Sequence, residues 1–466
     1  MSELQLPPRL KIEPTPQSAW DGNFHIKPEP SNKSGDLLLK ESGKRKTLSI
    51  SLGSQEKLSS AVLRNVGVKT GKWLTGQQIS AVGLSATEFE TLAVNNALEA
   101  FCEGLLIGAF RFDRHKSDVE TPKSVTVHVL TEGETSSLSD KIARVVAIVN
   151  GVNLAREWSH EPANIINPIT LGERTKALAA STGLKCTILG EKELSEMGAG
   201  AIQSVGLGSK TPSQMIILEH QGTQKDSPPV VIVGKAITFD TGGYSLKDKA
   251  GIVGMKFDKC GGMDVIGIMQ AVADLDLPIP VIGIVAAAEN MISQDAYRPN
   301  DIITSLSGKT IEIISTDAEG RMVLADALTY AAEQYKPRAI IDLATLTGGV
   351  RTALGSVRAG LMSNNDQLAD ALFQAGESTN ERLWRLPLDD EYFDLIKGTD
   401  SDIKNSAGGP SAAPIVGGMF LKQFVPDEIP WVHIDIAGTA TIEKSKGIRL
   451  ATGFGVRLVV EFLTTF

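Results

Sequence analysis

Apolar residues follow two regimes along the chain. Between residues 36 and 134 they come in short stretches that predict a strand at 47–52, a helix at 86–110 and a second strand in the alternating SVTVHVL at 124–130. Ile142, Val145, Val149 and Val152 then recur at helical spacing, so 139–159 reads as a helix bridging two domains. Thr170 stands as an N-cap ahead of a further helical run. Beyond it, the runs MIILE (215–219), VVIVG (230–234), PVIGIVAAA (280–288), TIEII (310–314), AIIDLAT (339–345) and VHIDIA (432–437) alternate with helical patterns such as 321–335. Strands this apolar must be covered on both faces, which predicts an α/β domain with a largely parallel central sheet flanked by helices. A smaller α/β domain precedes it. The expected division is a Pro-rich, loose leader over 1–35, an N-terminal α/β domain over 36–158 ending in the linker helix, and the larger domain over 159–466. The leader rests on six of the 21 prolines falling by Pro30 among alternating Lys and Glu.

In a parallel sheet, ligands gather beyond the carboxyl ends of the strands, so polar residues that follow apolar runs carry the most information. Three segments qualify. In VVIVGKAITFDTGGYSLKDK (230–249), Lys235 follows a wholly apolar strand and precedes Asp240 and Lys247. An ammonium at the end of a buried strand needs a counter-charge or loses its proton, and a neutral amine can ligate a metal. Gly242 and Gly243 permit positive φ after Asp240. A phosphate loop fails because Ala236, not Ser or Thr, follows Lys235. A purely structural Lys–Asp ion pair remains the plain alternative for this segment taken alone. In GMKFDKCGGMD (254–264), Asp258 precedes Gly261 and Gly262 at the start of a helix-like stretch, and alone it reads as a turn or cap residue. In TIEIISTDAEGRMVLADAL (310–328), Asp317, Glu319 and Arg321 occupy alternate positions after a strand, so an extended backbone projects all three to one side. Two carboxylates that close raise each other's pKa unless a cation lies between them, and a dinuclear metal site supplies one.

Composition narrows the function. The 466 residues carry 46 Lys+Arg against 55 Asp+Glu, a net charge of −9, which argues against nucleic-acid binding through bulk positive charge. Three widely spaced cysteines, Cys102, Cys186 and Cys260, form neither a disulfide framework nor a zinc knuckle and point to a reducing, cytoplasmic setting. The longest apolar run, 279–288, is too short to span a bilayer, and the first residues lack the apolar core of a secretory signal. The six histidines, His25, His115, His128, His160, His220 and His433, are scattered singly without an HExxH pair. Any metal must therefore be held by carboxylates and an amine, a hard donor set suited to Mn²⁺, Mg²⁺ or Zn²⁺. Lys247 and Arg321 are left beside that set as free cations, placed to steady an oxyanion or an anionic base.

These segments resemble the leucine (cytosol) aminopeptidase family of dinuclear-metal peptidases. Its signature stands here as STDAEGRM (315–322), and its companion metal segment as VGKAITFDTGGYSLK (233–247). LATLTGG (343–349), HIDIAGTA (433–440) and ATGFGVRLVVEFL (451–463) extend the likeness from about Asn153 to the C-terminus. The resemblance implies two divalent ions, Mn²⁺ or Zn²⁺ first and Mg²⁺ or Co²⁺ next. Lys235, Asp240, Asp258 and Glu319 would hold the tighter ion, and Asp240, Asp317 and Glu319 the more exchangeable one. It also implies oxyanion stabilisation by Lys247, a bicarbonate general base at Arg321, backbone contacts to substrate from Leu346 and Gly348, short peptides with a free N-terminus as substrates, and a homohexamer. Two departures stand out: Ser315 replaces the usual Asn, and KCGGMD (259–264) replaces a more apolar stretch, with Lys259 and Asp264 free to pair on the helix or face the specificity pocket. Cys260 is expected to be a small buried thiol and His433 to hydrogen-bond within the core. Two rivals differ in kind: a dinuclear phosphoesterase, which normally adds histidines, and a binding oligomer that recruits a partner or DNA through the leader and KESGKRK (40–46).

Overall fold

The computed structural model describes residues 8–31, 33–118, 124–409, 411–444 and 448–466. It divides into two compact units, 1–153 and 154–466, with the division falling inside a long helix, Thr135–His160.

The first unit is a six-stranded sheet built from β1 (Leu10–Pro16), β2 (Phe24–Glu29), β3 (Ser34–Ser42), β4 (Arg45–Leu52), β5 (Ala81–Ser85) and β6 (Val125–Thr131), in the order β1-β6-β5-β2-β4-β3. The expectation of a loose leader is thus overturned for residues 10–29, which supply two strands, while residues 1–7 lie outside the described residues. The reason is a period-two pattern masked by the prolines: Leu10 and Ile12, then Phe24 and Ile26, are buried. Pro14 and Pro16 sit on β1, an edge strand, where a missing N–H breaks little of the ladder. The expected helix at 86–110 is two helices, Ala86–Glu90 and Ala97–Ala109, parted by a turn in which Asn96 takes a left-handed φ of 53°. KESGKRK forms the exposed tip of the β3–β4 hairpin, with Lys46 paired to Glu41 and Lys40 to Glu29.

The second unit holds an eight-stranded sheet of β7 (Lys185–Leu189), β8 (Gln214–His220), β9 (Val230–Asp240), β10 (Val281–Asn290), β13 (Ala339–Ala344), β14 (Ala359–Ser363), β15 (Leu383–Arg385) and β17 (Trp431–Asp435), in the order β15-β14-β17-β13-β9-β10-β8-β7. The four central strands β17, β13, β9 and β10 are mutually parallel, and antiparallel pairing begins with β14 and β8 on either side. Helix Glu319–Tyr335 covers one face together with Gly200–Gly206 and Ala413–Lys422, and helix Cys260–Asp274 packs on the sheet with Pro168–Thr182 and Val456–Thr465. Val231, Val233 and Ile237 of β9 are fully buried in the core that contains Met322, Val323 and Leu324, each such side chain contributing roughly 1.5–3 kcal/mol.

Three expectations change. TIEII does not join the main sheet; it forms β12 (Thr310–Glu312) in a small sheet with β11 (Ile302–Thr304) and β16 (Ile403–Lys404), its Ile311 and Ile313 still buried in the main core. Asn167, not Thr170, caps helix Pro168–Thr182, and Thr170 is the reciprocal partner in the capping box. Lys235 lies inside β9 rather than after it, because pairing with β10 carries that strand on to Asp240.

Candidate metal centre

Ladder geometry creates the site. Pairing of β9 with β13 stops at Gly234 opposite Leu343, whereas pairing with β10 continues through Ile237 and, past an irregularity, to Asp240 opposite Asn290. From Lys235 onward one edge of β9 is open. The chain leaves β9 toward β10 on one side and leaves β13 toward β14 on the other, so this opening is the switch point of the sheet, where α/β folds place ligands.

Lys235 projects into that opening. Its Nζ lies 2.9 Å from Asp258 Oδ1 and 2.8 Å from Glu319 Oε1, and donates to Thr345 O at 2.9 Å. Room for it comes from Gly320, the second residue of helix Glu319–Tyr335: a Cβ there would stand 2.6–2.7 Å from the end of the Lys235 side chain. Lys247 bridges the other side of the cluster, 2.7 Å from Asp240 Oδ2 and in contact with Asp317 Oδ1. Carboxylate oxygens of Asp240, Asp317 and Glu319 all lie within 4.8 Å of one another. The five ligand candidates and Lys247 therefore meet in one cage.

The expected extended geometry of Asp317, Glu319 and Arg321 is wrong. The helix begins at Glu319, so only Asp317 precedes it, in a turn, while Glu319 and Arg321 sit on its first turn. Ser315 accepts the Asp317 N–H at 3.2 Å through its hydroxyl, which keeps the turn closed without an Asn. Gly242 and Gly243 do take positive φ, 85° and 60°, which curls the loop after β9 so that the Gly242 N–H reaches Asp240 Oδ1 at 2.8 Å. Lys259 and Asp264 neither pair nor meet the cage. Lys259 Nζ is wholly buried and capped by the carbonyls of Ser159, Glu161 and Lys256, and Asp264 is a buried carboxyl with an unbonded Oδ2. Cys260 is buried, its thiol pushed up to about 12 by burial and by Asp264.

Electrostatics shows what the cage lacks. Burial pushes Asp258 well above the usual carboxylate range, and burial with Glu319 raises Asp240 to about 6 against the pull of Lys247 and Lys235. Asp317, on the solvent side, is raised by the surrounding protein and by Glu319. Only Glu319 falls below its ordinary value, because Lys235 and Lys247 outweigh its burial. Burial alone would strip Lys235 of its proton, but Asp258, Glu319 and Asp240 more than offset it and hold the ammonium. Four carboxylates thus share two ammonium groups and remain short of positive charge. Asp258 Oδ2 is buried without a hydrogen-bond partner, and the donors are hard oxygens with one amine, so the residues fit divalent ions.

Arg321 stands apart from the cage. It is buried, its Nη1 donates to Asn405 O at 2.8 Å, and its Nε has no hydrogen-bond partner. Leu346 directs its N–H to Asp435 Oδ1 at 3.1 Å, and Thr347 Oγ1 donates to Asp435 Oδ2 at 2.7 Å, so the LATLTGG loop is set from β17. Gly348 opens helix Gly348–Leu354 facing open space. His433 does bond within the core, to Asp342, which also accepts from Trp431 Nε1. Sequence reasoning missed Asn290, Thr316, Thr345, Asn405 and Asp435. Thr316, Thr345 and Asp435 lie within STDAEGRM, LATLTGG and HIDIAGTA, and Asn290 left a signal as the first amide after PVIGIVAAA; its Nδ2 donates to Asp240 Oδ1 at 2.8 Å and to Thr316 O at 3.0 Å.

The catalytic domain of the cytosol aminopeptidase family matches residues 153–460, and the N-terminal domain of the same family matches 34–119. A probable cytosol aminopeptidase of Syntrophotalea carbinolica is 42% identical over 443 residues, covering 92% of this chain and 88% of its own length. Another, from Rickettsia bellii, is 39% identical over 418 residues, covering 88% and 83%. Among solved structures, the bottromycin maturation enzyme BotP in complex with Mn superposes with a TM-score of 0.86 at 27% identity, over 95% of this chain and 99% of that one. In sequence and in fold, the chain belongs to the cytosol aminopeptidase family.

Proposed function

We propose that this protein is a metal-dependent aminopeptidase that releases the N-terminal residue of short peptides and dipeptides. The observation that carries the reading is the cage itself: Asp240, Asp317 and Glu319 within ligand reach of one another, joined through Glu319 to Lys235 and Asp258. Lys235, Asp240, Asp258 and Glu319 form the buried side, suited to a tightly held ion, and exposed Asp317 with Asp240 and Glu319 the solvent side, suited to an exchangeable one. Mn²⁺ or Zn²⁺ fits this donor set best, Mg²⁺ or Co²⁺ next. Bound there, two such ions supply Lewis acidity toward the scissile carbonyl and the substrate amine, and lower the pKa of a water.

The chain's own groups do the rest. Lys247 stays protonated between Asp240 and Asp317 and reaches the edge of the cage, where it can balance negative charge that develops on the carbonyl oxygen. Arg321, with Nη1 committed to Asn405 and Nε unbonded, offers a forked donor to a planar bicarbonate, whose chemistry is proton acceptance. The backbone of Leu346 and Gly348 would contact the substrate main chain. The reading extends to a cytoplasmic homohexamer. It is supported by the family and by three free cysteines, and among the described residues no helix is long and apolar enough to cross a membrane.

Hydrolysis of a leucyl amide, lost on chelation and restored by Mn²⁺, is the expected result. A chelated enzyme that kept its rate, or one that cleaved phosphate esters and left leucyl amides intact, would overturn the proposal. The group with metal-ligating geometry among the described residues contains no histidine, which disfavours the phosphoesterase.

A further inference from the structure

Asn405 follows β16 in the small sheet, 0% exposed, and each of its five polar contacts goes to the segment 312–321. Its backbone N–H donates to Glu312 O at 3.0 Å. Side-chain Oδ1 accepts from the N–H of Ile314 at 2.8 Å and of Ser315 at 3.2 Å, Nδ2 donates to Ser315 O at 2.6 Å, and the carbonyl accepts Arg321 Nη1 at 2.8 Å. The orientation of the amide follows from these partners: rotated by half a turn, Nδ2 would face two N–H donors and Oδ1 a carbonyl.

The grip falls where the chemistry needs it. Only the turn 314–318 separates the buried Ile313 from Glu319, and that turn carries Asp317. Thr316 fastens it from the far side, donating to Gly242 O at 2.6 Å and accepting from Ser245 N at 2.7 Å. Asn405 fastens it from the near side through Ser315, whose hydroxyl in turn receives the Asp317 N–H. Released from Asn405, the turn would keep the Thr316 anchor but lose the one that sets where Asp317 begins. An Ile314 N–H, a Ser315 N–H and a Ser315 carbonyl would then need other partners, which a half-buried turn finds by moving.

We infer that Asn405 is a positioning residue that places Asp317 on the solvent side of the carboxylate cage and, through its carbonyl, aims the Arg321 guanidinium in the same act. The inference rests on the metal-centre reading above and adds a residue from a separate strand to it. Partners bonded directly to metal ligands typically govern metal affinity or activity by about 10–100-fold, and Asn405 acts one step further out, through Ser315.

The test is Mn²⁺ binding to the full chain, followed by the electron paramagnetic resonance of free Mn²⁺, for the parent, Asn405→Ala and the isosteric Asn405→Asp. The parent should bind two ions. Asn405→Ala should keep the first with unchanged affinity and weaken the second by about 10-fold. Asn405→Asp, which keeps one acceptor oxygen but sets the other against the Ser315 carbonyl, should weaken the second ion at least as much. In both variants kcat for a leucyl amide should drop further than KM changes. Equal affinity for the second ion in all three proteins overturns the inference while leaving the metal centre standing. A parent that binds no second ion removes the metal-centre reading and the inference with it. Loss of near-ultraviolet circular dichroism in both metal-free variants would make Asn405 a fold residue and overturn the positioning role.

Discussion

The two units are built on the same plan of strands and covering helices, yet they fill their interiors differently. Among the described residues of the first unit, the buried polar side chains are Ser49, Arg64 and Thr70, and the rest of its core is apolar. The second unit buries Glu157, His160, Glu161, Lys235, Asp240, Asp258, Lys259, Asp264, Glu319, Arg321, Asp326, Asp342, Glu381, His433 and Asp435. Removing a charge from water costs several kcal/mol unless it is paired and hydrogen-bonded. A layered sheet needs few such groups, as the first unit demonstrates with Arg64, which is paired to Glu103. Four of those in the second unit, Lys235, Asp240, Asp258 and Glu319, gather at the open edge of β9 and mark where folding energy has been given up for chemistry. Others in the same unit have become structure: Asp435 sets the LATLTGG loop and Asp342 binds His433 and Trp431.

That contrast can be broken by experiment, and the largest effect is expected at Arg321. If its buried charge is there for the reaction, Arg321→Lys keeps the charge but loses the fork, and kcat should fall about 10²–10³-fold with little change in KM. An unchanged kcat, measured on a leucyl amide, would return Arg321 to the structural group. The next effect concerns how backbone makes room for a buried cation. Gly320→Ala drives a methyl into the end of Lys235, so the metal-free protein should lose about 1–3 kcal/mol in urea unfolding and bind its first Mn²⁺ more weakly. Unaltered unfolding and binding would mean that Lys235 is not held against Gly320. The smallest effect sharpens the comparison with a buried charge outside the cage. Asp326 accepts the N–H groups of Ile202 and Leu306, both at 2.8 Å, and burial pushes its carboxyl up to about 7. The unfolded chain loses that proton near pH 4, so between pH 4 and 7 the folded state binds more protons and stability falls as pH rises. Relative to Asp326→Asn, the metal-free parent should weaken by on the order of 1 kcal/mol between pH 5 and 6. A pH-independent difference between the two urea midpoints would show that Asp326 ionises equally in both states.

The fold was legible wherever hydrophobic period and strand length agreed. MIILE, VVIVG, PVIGIVAAA, AIIDLAT and VHIDIA all became strands of the main sheet, because runs that apolar have no solvent-facing side to offer. Periodicity failed where another force decided. In β1 and β2 the prolines hid an alternating pattern, and TIEII was apolar enough for the main sheet but pairs in a smaller one. At the site, the residues brought to the cage were legible because carboxylates and lysines after apolar strands are expensive and therefore conspicuous. Their geometry was not. A sequence does not show that β9 outruns β13 by several residues, nor that the helix after the third segment starts at Glu319. Asn405, 84 residues beyond Arg321, has no local pattern at all; it matters only through contacts that folding creates.

The two ammonium groups in the cage have a consequence for how the protein is made. Lys235 and Lys247 occupy the carboxylate cluster as resident counter-ions, so a newly synthesised chain can close its core before any metal arrives. On the proposed role of Lys235, loading expels the proton it carries, and uptake strengthens as pH rises. On that role, maturation is coupled to the acidity of the surroundings as well as to their metal content.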